Sequence, residues 1–346
     1  MGNNRGLAAA PGSATVGRVI ASVAFRNFKV LRATSLELAP FNLLIGPNGS
    51  GKTTLIQALL RLRALSKLPL ADVNESAKKP GGPEIAFRFS PPYEKIVARL
   101  GCLSELVCDL LQVKSPSPEA WSAAKADLAR MRGFLFEHLA MSEPAAEAGG
   151  DELGANGANL AAVLARRQQR EPAAFAELEA EVLRIFPEFS GFVFTSRAGR
   201  VELGLTLADG TGTVAAENLS QGMLYLLAVL AIAHDPKPPT VVCIEEIDRG
   251  IHPRMLRETR DALYRLSYPE SFGLKRPPVQ VVATTHSPYL LDLFRDHPEE
   301  IVITQKHGSE ARFERLGDRT DIRELLREGS LGDMWFSGIL GGVPEE

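Results

Sequence analysis

Eight consecutive residues, Gly46-Pro47-Asn48-Gly49-Ser50-Gly51-Lys52-Thr53, have the spacing of a phosphate-binding loop, G-x-x-x-x-G-K-[ST]. Gly46, Gly49 and Gly51 allow backbone conformations in which successive N–H groups turn onto phosphate oxygens. A helix starting near Lys52 adds the positive end of its dipole. Lys52 is placed to meet β- and γ-phosphates, Thr53 to put its hydroxyl on Mg²⁺, and Thr54 to support the helix start. ATP with Mg²⁺ is the ligand for which this chemistry is suited.

Such a loop needs a strand before it and a helix behind it. The apolar run Phe41, Leu43, Leu44, Ile45 reads as the strand, and Leu55, Ile56, Leu59 and Leu60 read as the helix. Upstream, Val19 to Val30 alternates apolar and polar residues and continues towards Leu36 and Leu38, which predicts a strand pair. Arg26 and Asn27, with Phe28 and Lys29, fall where a nucleotide-binding chain could hold adenine by stacking or a cation; a solvated strand end accounts for them equally well.

With 346 residues, 45% of them hydrophobic, the chain can bury a sizeable core. Lys+Arg 39 against Asp+Glu 42 gives a net charge of -3, which lacks the basic balance of a protein that holds nucleic acid by bulk electrostatics but leaves room for local patches. Cys102, Cys108 and Cys243 show no metal-ligand spacing, and a reducing cytoplasm fits them best. Residues 1–18 read as a tail without the apolar core of a signal peptide, and no run reaches the length of a membrane span, so a cytoplasmic protein with no membrane partner is expected.

A polar loop over Ala71 to Pro83 precedes a strand at Ile85 to Phe89, and Tyr93 to Leu100 can pair back after a turn at Pro91-Pro92. From Leu103 the period becomes helical: Leu103, Leu106, Val107, Leu110 and Leu111 fit one face, and Trp121, Ala124, Leu128, Met131, Leu135 and Leu139 fit another. Glu143 to Asn156 reads as a flexible connection, followed by helices over about Asn159 to Gln169 and Pro172 to Phe186. Arg166, Arg167 and Arg170 form a small basic patch, read first as a solvated helix face. Strands at Phe192 to Thr195 and Val201 to Leu207 flank a turn at Ala198-Gly199. Then come Leu219-Ser220-Gln221-Gly222-Met223 before an apolar helix, a buried strand from Thr240 to Ile244 closed by Glu245-Glu246, a helix at about Pro253 to Leu266, and a strand from Val279 ending in Thr284-Thr285-His286.

In this order, these segments resemble the ATP-binding-cassette ATPases. Glu245-Glu246-Ile247-Asp248-Arg249-Gly250-Ile251-His252-Pro253, set beside D-E-P-E-N-G-L-H-P, is similar to the OLD/RecF-type ATPases of bacterial defence and repair operons, and Gly332 to Pro344 looks like the end of many of them. The resemblance spans Val19 to Pro344. It implies an α/β fold, an ABC-type P-loop NTPase head with a mixed sheet, antiparallel edge strands and a compact helical insertion. The single domain at 19–346 would comprise an ATP lobe over about 19–100, the insertion over about 101–187 and a signature lobe over about 188–346.

The same resemblance implies that Glu245 holds Mg²⁺ through a water, that Glu246 orients and deprotonates the attacking water, and that His286 contacts the γ-phosphate. Ser220 and Gly222 would complete the site of the opposite subunit in a head-to-head homodimer, with Asp248 and His252 on the loop that crosses the interface. Glu245 stands in place of Asp, Ile247 in place of Pro and Met223 where Thr or Gln is common, and no Gln follows Ile85 to Phe89. Slow hydrolysis is therefore expected, with ATP acting as a clamp or switch that controls a separately encoded effector, a nuclease, in anti-phage defence. Trp335, Phe336, Ile339 and Leu340 could dock it, or pack on the protein's own core. The alternative is a RecF-like clamp with DNA across the closed dimer. A transporter subunit is disfavoured by His252, the insertion and the missing Gln.

Overall fold

The computed structural model describes residues 18–68, 82–104 and 107–341. The expected N-terminal tail up to residue 17, most of the loop Ala71 to Pro83, Leu106 of the expected helical face, and the terminal Gly342 to Pro344 lie outside the described residues.

Strands β1 (Ile20–Phe28) and β2 (Leu31–Glu37) pair antiparallel; β3 (Phe41–Ile45) then runs into the phosphate loop and α1 (Lys52–Ser66) leaves it. β4 (Glu84–Phe89), β5 (Val97–Cys102) and β6 (Cys108–Lys114) extend the first pair into a five-stranded antiparallel sheet, ordered β2-β1-β4-β5-β6. Next come α2 (Pro118–Ala129), β7 (Arg132–Phe134), α3 (His138–Ser142), β8 (Ala145–Ala146), α4 (Leu160–Arg170) and α5 (Pro172–Ile185). The hairpin of β9 (Phe189–Arg197) and β10 (Arg200–Leu207) turns on Ala198 and Gly199, both at positive φ as a tight two-residue turn requires, and β11 (Thr213–Ala215) adds to it. The remainder is α6 (Gln221–Ala233), β12 (Val241–Ile244), α7 (Leu256–Ser267), β13 (Gln280–Thr285), α8 (Pro288–Leu293), β14 (Ile301–His307), β15 (Glu310–Arg315), α9 (Ile322–Glu328) and α10 (Leu331–Phe336).

The site rests on a six-stranded sheet ordered β15-β14-β3-β13-β12-β7, parallel except for β15 at its edge. Parallel strands covered on both faces read as continuous apolar runs, and β3, β12 and β13 are buried at every position. On one face Leu44, Cys243, Val282 and Val302 share a core with Leu55, Leu59 and Leu62 of α1 and with the antiparallel sheet. On the other, Leu43, Ile45, Ile244, Val281 and Ala283 share a core with α6, whose residues from Leu224 to Ala233 are all buried. The mixed α/β head with antiparallel strands is the expected class.

Two helix expectations are corrected. Cys108–Lys114 is a strand, paired antiparallel with β5, because a short apolar run fits either period and the edge of β5 supplies its backbone partners. The run from Trp121 to Leu139 is not one helix: α2 stops at Ala129, and Arg132–Phe134 pairs in parallel with β12. Gly133 permits that docking, since a Cβ there would fall 2.6 Å from Cδ1 of Leu60 on α1. Cys102 and Cys108, opposite each other across β5 and β6, are joined as a disulfide that their spacing did not announce, while Cys243 is a free buried thiol. Among the described residues no helix is long and apolar enough to cross a membrane.

At the foot of β14, Glu300 is buried and accepts hydrogen bonds from the hydroxyls of Tyr264 and Tyr268. Burial pushes its carboxyl up from 4.5 to about 7 against those two bonds. A raised carboxyl pKa means that the folded state keeps a proton the unfolded chain releases, so stability is lost as pH rises from about 4.5 to about 7. Glu300→Gln is expected to remove this loss, on the order of 2–3 kcal/mol, and melting curves from about pH 5 to 8 should be flatter for the variant than for the parent.

Candidate active site

The phosphate loop is held open by what surrounds it. Gly49 and Gly51 take positive φ of 73° and 99°, and Gly46 has no room for a side chain because a Cβ would fall 1.8 Å from Oγ1 of Thr304. The Thr304 hydroxyl is hydrogen-bonded to the Ser50 hydroxyl and reaches the carbonyl oxygen of Ile45 at 3.2 Å, so β14 props the loop from behind. Its only sequence signal is a hydroxyl in an apolar strand.

Lys52, at the start of α1, is buried; its Nζ donates to the carbonyl oxygens of Gly46 at 2.7 Å and Pro47 at 3.0 Å. Burial lowers its pKa to about 8, against the opposing pull of Glu246 and Glu245. Beside it, Thr53 Oγ1 donates to Glu245 Oε2 at 2.6 Å. The longer glutamate therefore reaches the hydroxyl that an aspartate would serve in the familiar pattern. A hydroxyl and a carboxylate suit Mg²⁺, a hard cation that keeps waters and phosphate oxygens as its remaining ligands. Among the described residues no cluster of three or more Asp, Glu, His or Cys forms an all-protein cage.

Glu246 follows with its backbone at φ 52° and its N–H donating to Thr284 Oγ1 at 2.9 Å. Its carboxylate is about half exposed, 3.6 Å from the Arg249 guanidinium. His286, beyond the end of β13, is held below the ordinary imidazole value by partial burial and then by the Lys52 ammonium, with Asp248 and Glu246 opposing. A neutral ring can offer one N–H donor and one acceptor to a phosphate or a water.

These groups line one cleft of about 310 Å³, bounded by Lys29, Val30, Asn48 to Thr54, Glu245, Glu246, Thr284 and His286. The structure thus gathers Asn48, Gly49, Ser50, Gly51, Lys52, Thr53, Thr54, Glu245, Glu246 and His286, with the carbonyls of Gly46 and Pro47 behind them. Arg26 and Asn27 do not line the cleft. Arg26 pairs with Glu84 at 3.6 Å across β1 and β4, while positive φ at Asn27 and Lys29 turns the hairpin so that Lys29 and Val30 face the loop.

Ser220, Gly222, Asp248 and His252 also lie off the cleft. Ser220 caps α6, accepting the Met223 N–H at 3.3 Å, and Gly222 packs so closely that a Cβ would fall 2.6 Å from the carbonyl oxygen of Gly250. Asp248 accepts from the Thr285 hydroxyl at 2.7 Å, and His252 Nδ1 accepts from the Arg254 N–H at 3.3 Å. Of the apolar residues near the end, Leu340 is buried and Trp335 packs on the core, whereas Phe336 and Ile339 are 85% and 53% exposed.

This fold is shared with Smc head domains. An SmcHead bound to the C-winged helix domain of ScpA superposes with a TM-score of 0.58 at 15% identity, covering 86% of this chain and 97% of that one. An Smc head with an extended coiled coil, bound to the C-terminal domain of ScpA and derived from Pyrococcus furiosus, gives 0.53 at 13% identity over 90% and 100% of the two chains. An Smc head with a coiled coil and joint from Pyrococcus yayanosii gives 0.52 at 10% over 90% and 99%. No curated protein matches the sequence. The fold is therefore that of the Smc head domains. More narrowly, residues 112–292, over half of the chain, match the family described as "AAA domain, putative AbiEii toxin, Type IV TA system", and the chain belongs to that family. Residues 19–114 match a second model, "AAA ATPase domain".

Proposed function

We propose that this ATPase is an OLD/RecF-type switch that closes as a head-to-head homodimer around ATP and Mg²⁺ and controls a separate effector, a nuclease, in anti-phage defence. Lys52 and the loop amides hold the phosphates, Thr53 and Glu245 hold Mg²⁺, Glu246 serves as general base, and His286 senses the γ-phosphate. The observation that carries this reading is the division of the site. The phosphate loop, both glutamates and His286 share one cleft, whereas Ser220, Gly222, Asp248 and His252 lie off it, with Gly222 packed against the backbone of Gly250 and Ile251, where a second subunit would use them. The family description, a toxin of a toxin–antitoxin system, is in keeping with a defence role. The exposed Phe336 and Ile339 are available for an effector.

Mixing experiments test the division. Lys52→Ala subunits lack a phosphate site and Ser220→Arg subunits lack a usable signature, so each alone should be inactive. Their mixture should regain ATP hydrolysis, because a mixed dimer contains one site with both halves intact. A mixture as inactive as its components would remove the head-to-head arrangement.

A further inference from the structure

The two glutamates at the end of β12 do not leave the strand in the same way. Along an extended strand successive side chains point to opposite faces, and Glu245 obeys that rule: it follows Cys243 onto the α1 side and accepts from Thr53. Continued alternation would send Glu246 to the other face, with Ile244. Instead its backbone turns into the left-handed region, φ 52°, and its carboxylate lines the same cleft as Glu245. Non-glycine residues rarely adopt this conformation, and it persists only where neighbours impose it.

What imposes it is Thr284, 2% exposed on the adjoining strand β13. Its Oγ1 accepts the N–H of Glu246 at 2.9 Å, and its carbonyl oxygen accepts the N–H of Ile247 at 3.0 Å. The second bond depends on a departure visible in the sequence. A proline at 247 would carry no N–H to donate and would bias the residue before it towards extended backbone. Ile247, itself buried, permits both the bond and the turn.

We propose that Thr284 is the positioning residue for Glu246, clamping two consecutive N–H groups so that the carboxylate stays over the phosphate cleft. This rests on the reading of Glu246 as general base. Thr284→Val keeps the side-chain shape and leaves the Glu246 N–H without its acceptor. It should lower kcat by about tenfold or more, as expected when a catalytic group is misplaced, with nucleotide Kd changed less than about twofold. Thr284→Ser should restore most of the rate. Combined with Glu246→Gln, Thr284→Val should have no further effect, because it acts only through the glutamate.

Parental kcat in Thr284→Val, equal losses in the Val and Ser variants, a parallel loss of nucleotide binding, or an undiminished further drop in the Glu246→Gln background would each overturn the proposal. The Glu246→Gln single variant separates the two readings: if it hydrolyses ATP at the parental rate, the assignment of Glu246 has failed rather than that of Thr284.

Discussion

Lys52→Ala should bind ATP at least about 100-fold more weakly than the parent, because it removes charge-assisted hydrogen bonds to phosphate from a buried ammonium, each worth about 1.5–3 kcal/mol. The side chain is held in place by the carbonyls of Gly46 and Pro47, so its truncation also deprives the loop of a donor that ties it together. Fluorescent-nucleotide titration gives the measurement. The same lysine predicts a pH dependence. With its pKa lowered to about 8 by burial, the nucleotide-free protein loses this positive charge as pH rises through that value, so ATP affinity should decline on the alkaline side. Phosphate binding favours the charged form, so the affinity falls from about pH 8, the value of the free protein, and levels off above the higher value of the complex. Lys52→Ala should show neither the affinity nor its alkaline decline.

The second large effect is expected on hydrolysis rather than binding. Glu246→Gln retains the size and hydrogen-bonding capacity of the side chain but cannot take a proton from water, and the rate should fall by about 100-fold or more. The change should leave the Thr53–Glu245 pair and the Thr284 clamp in place, since the former uses Glu245 and the latter the main-chain N–H. Nucleotide affinity should stay within a few-fold of the parent, and the bound ATP should persist. Single-turnover hydrolysis together with equilibrium binding separates these effects.

Much of the site was legible because its chemistry depends on residue type. Three glycines, Lys52 and Thr53 announce a phosphate loop whatever encloses them, and the buried runs before Glu245 and Thr284 read as central strands since both their faces are covered. The misread parts depend on distant neighbours. Leu110 and Leu111 belong to a strand because β5 offers an open edge, and Arg132–Phe134 is a strand because β12 does. Hydroxyl contacts were equally hidden: Thr304 reaches Ser50 across 254 positions and Thr284 reaches Glu246 across 38, and a hydroxyl in an apolar strand does not announce which distant group it meets. The hairpin shows the limit most simply. Arg26, Asn27 and Lys29 are near neighbours in sequence, and only the left-handed turns at Asn27 and Lys29 decide which of them meets the cleft.

Whether ATP closes two copies of this chain on each other is read from the mass in solution of the Glu246→Gln protein by light scattering, with and without Mg-ATP. The mass should double with Mg-ATP, and should not double when Ser220→Arg or Lys52→Ala is added. A protein that binds Mg-ATP yet keeps the same mass at every nucleotide and protein concentration would contradict that closure.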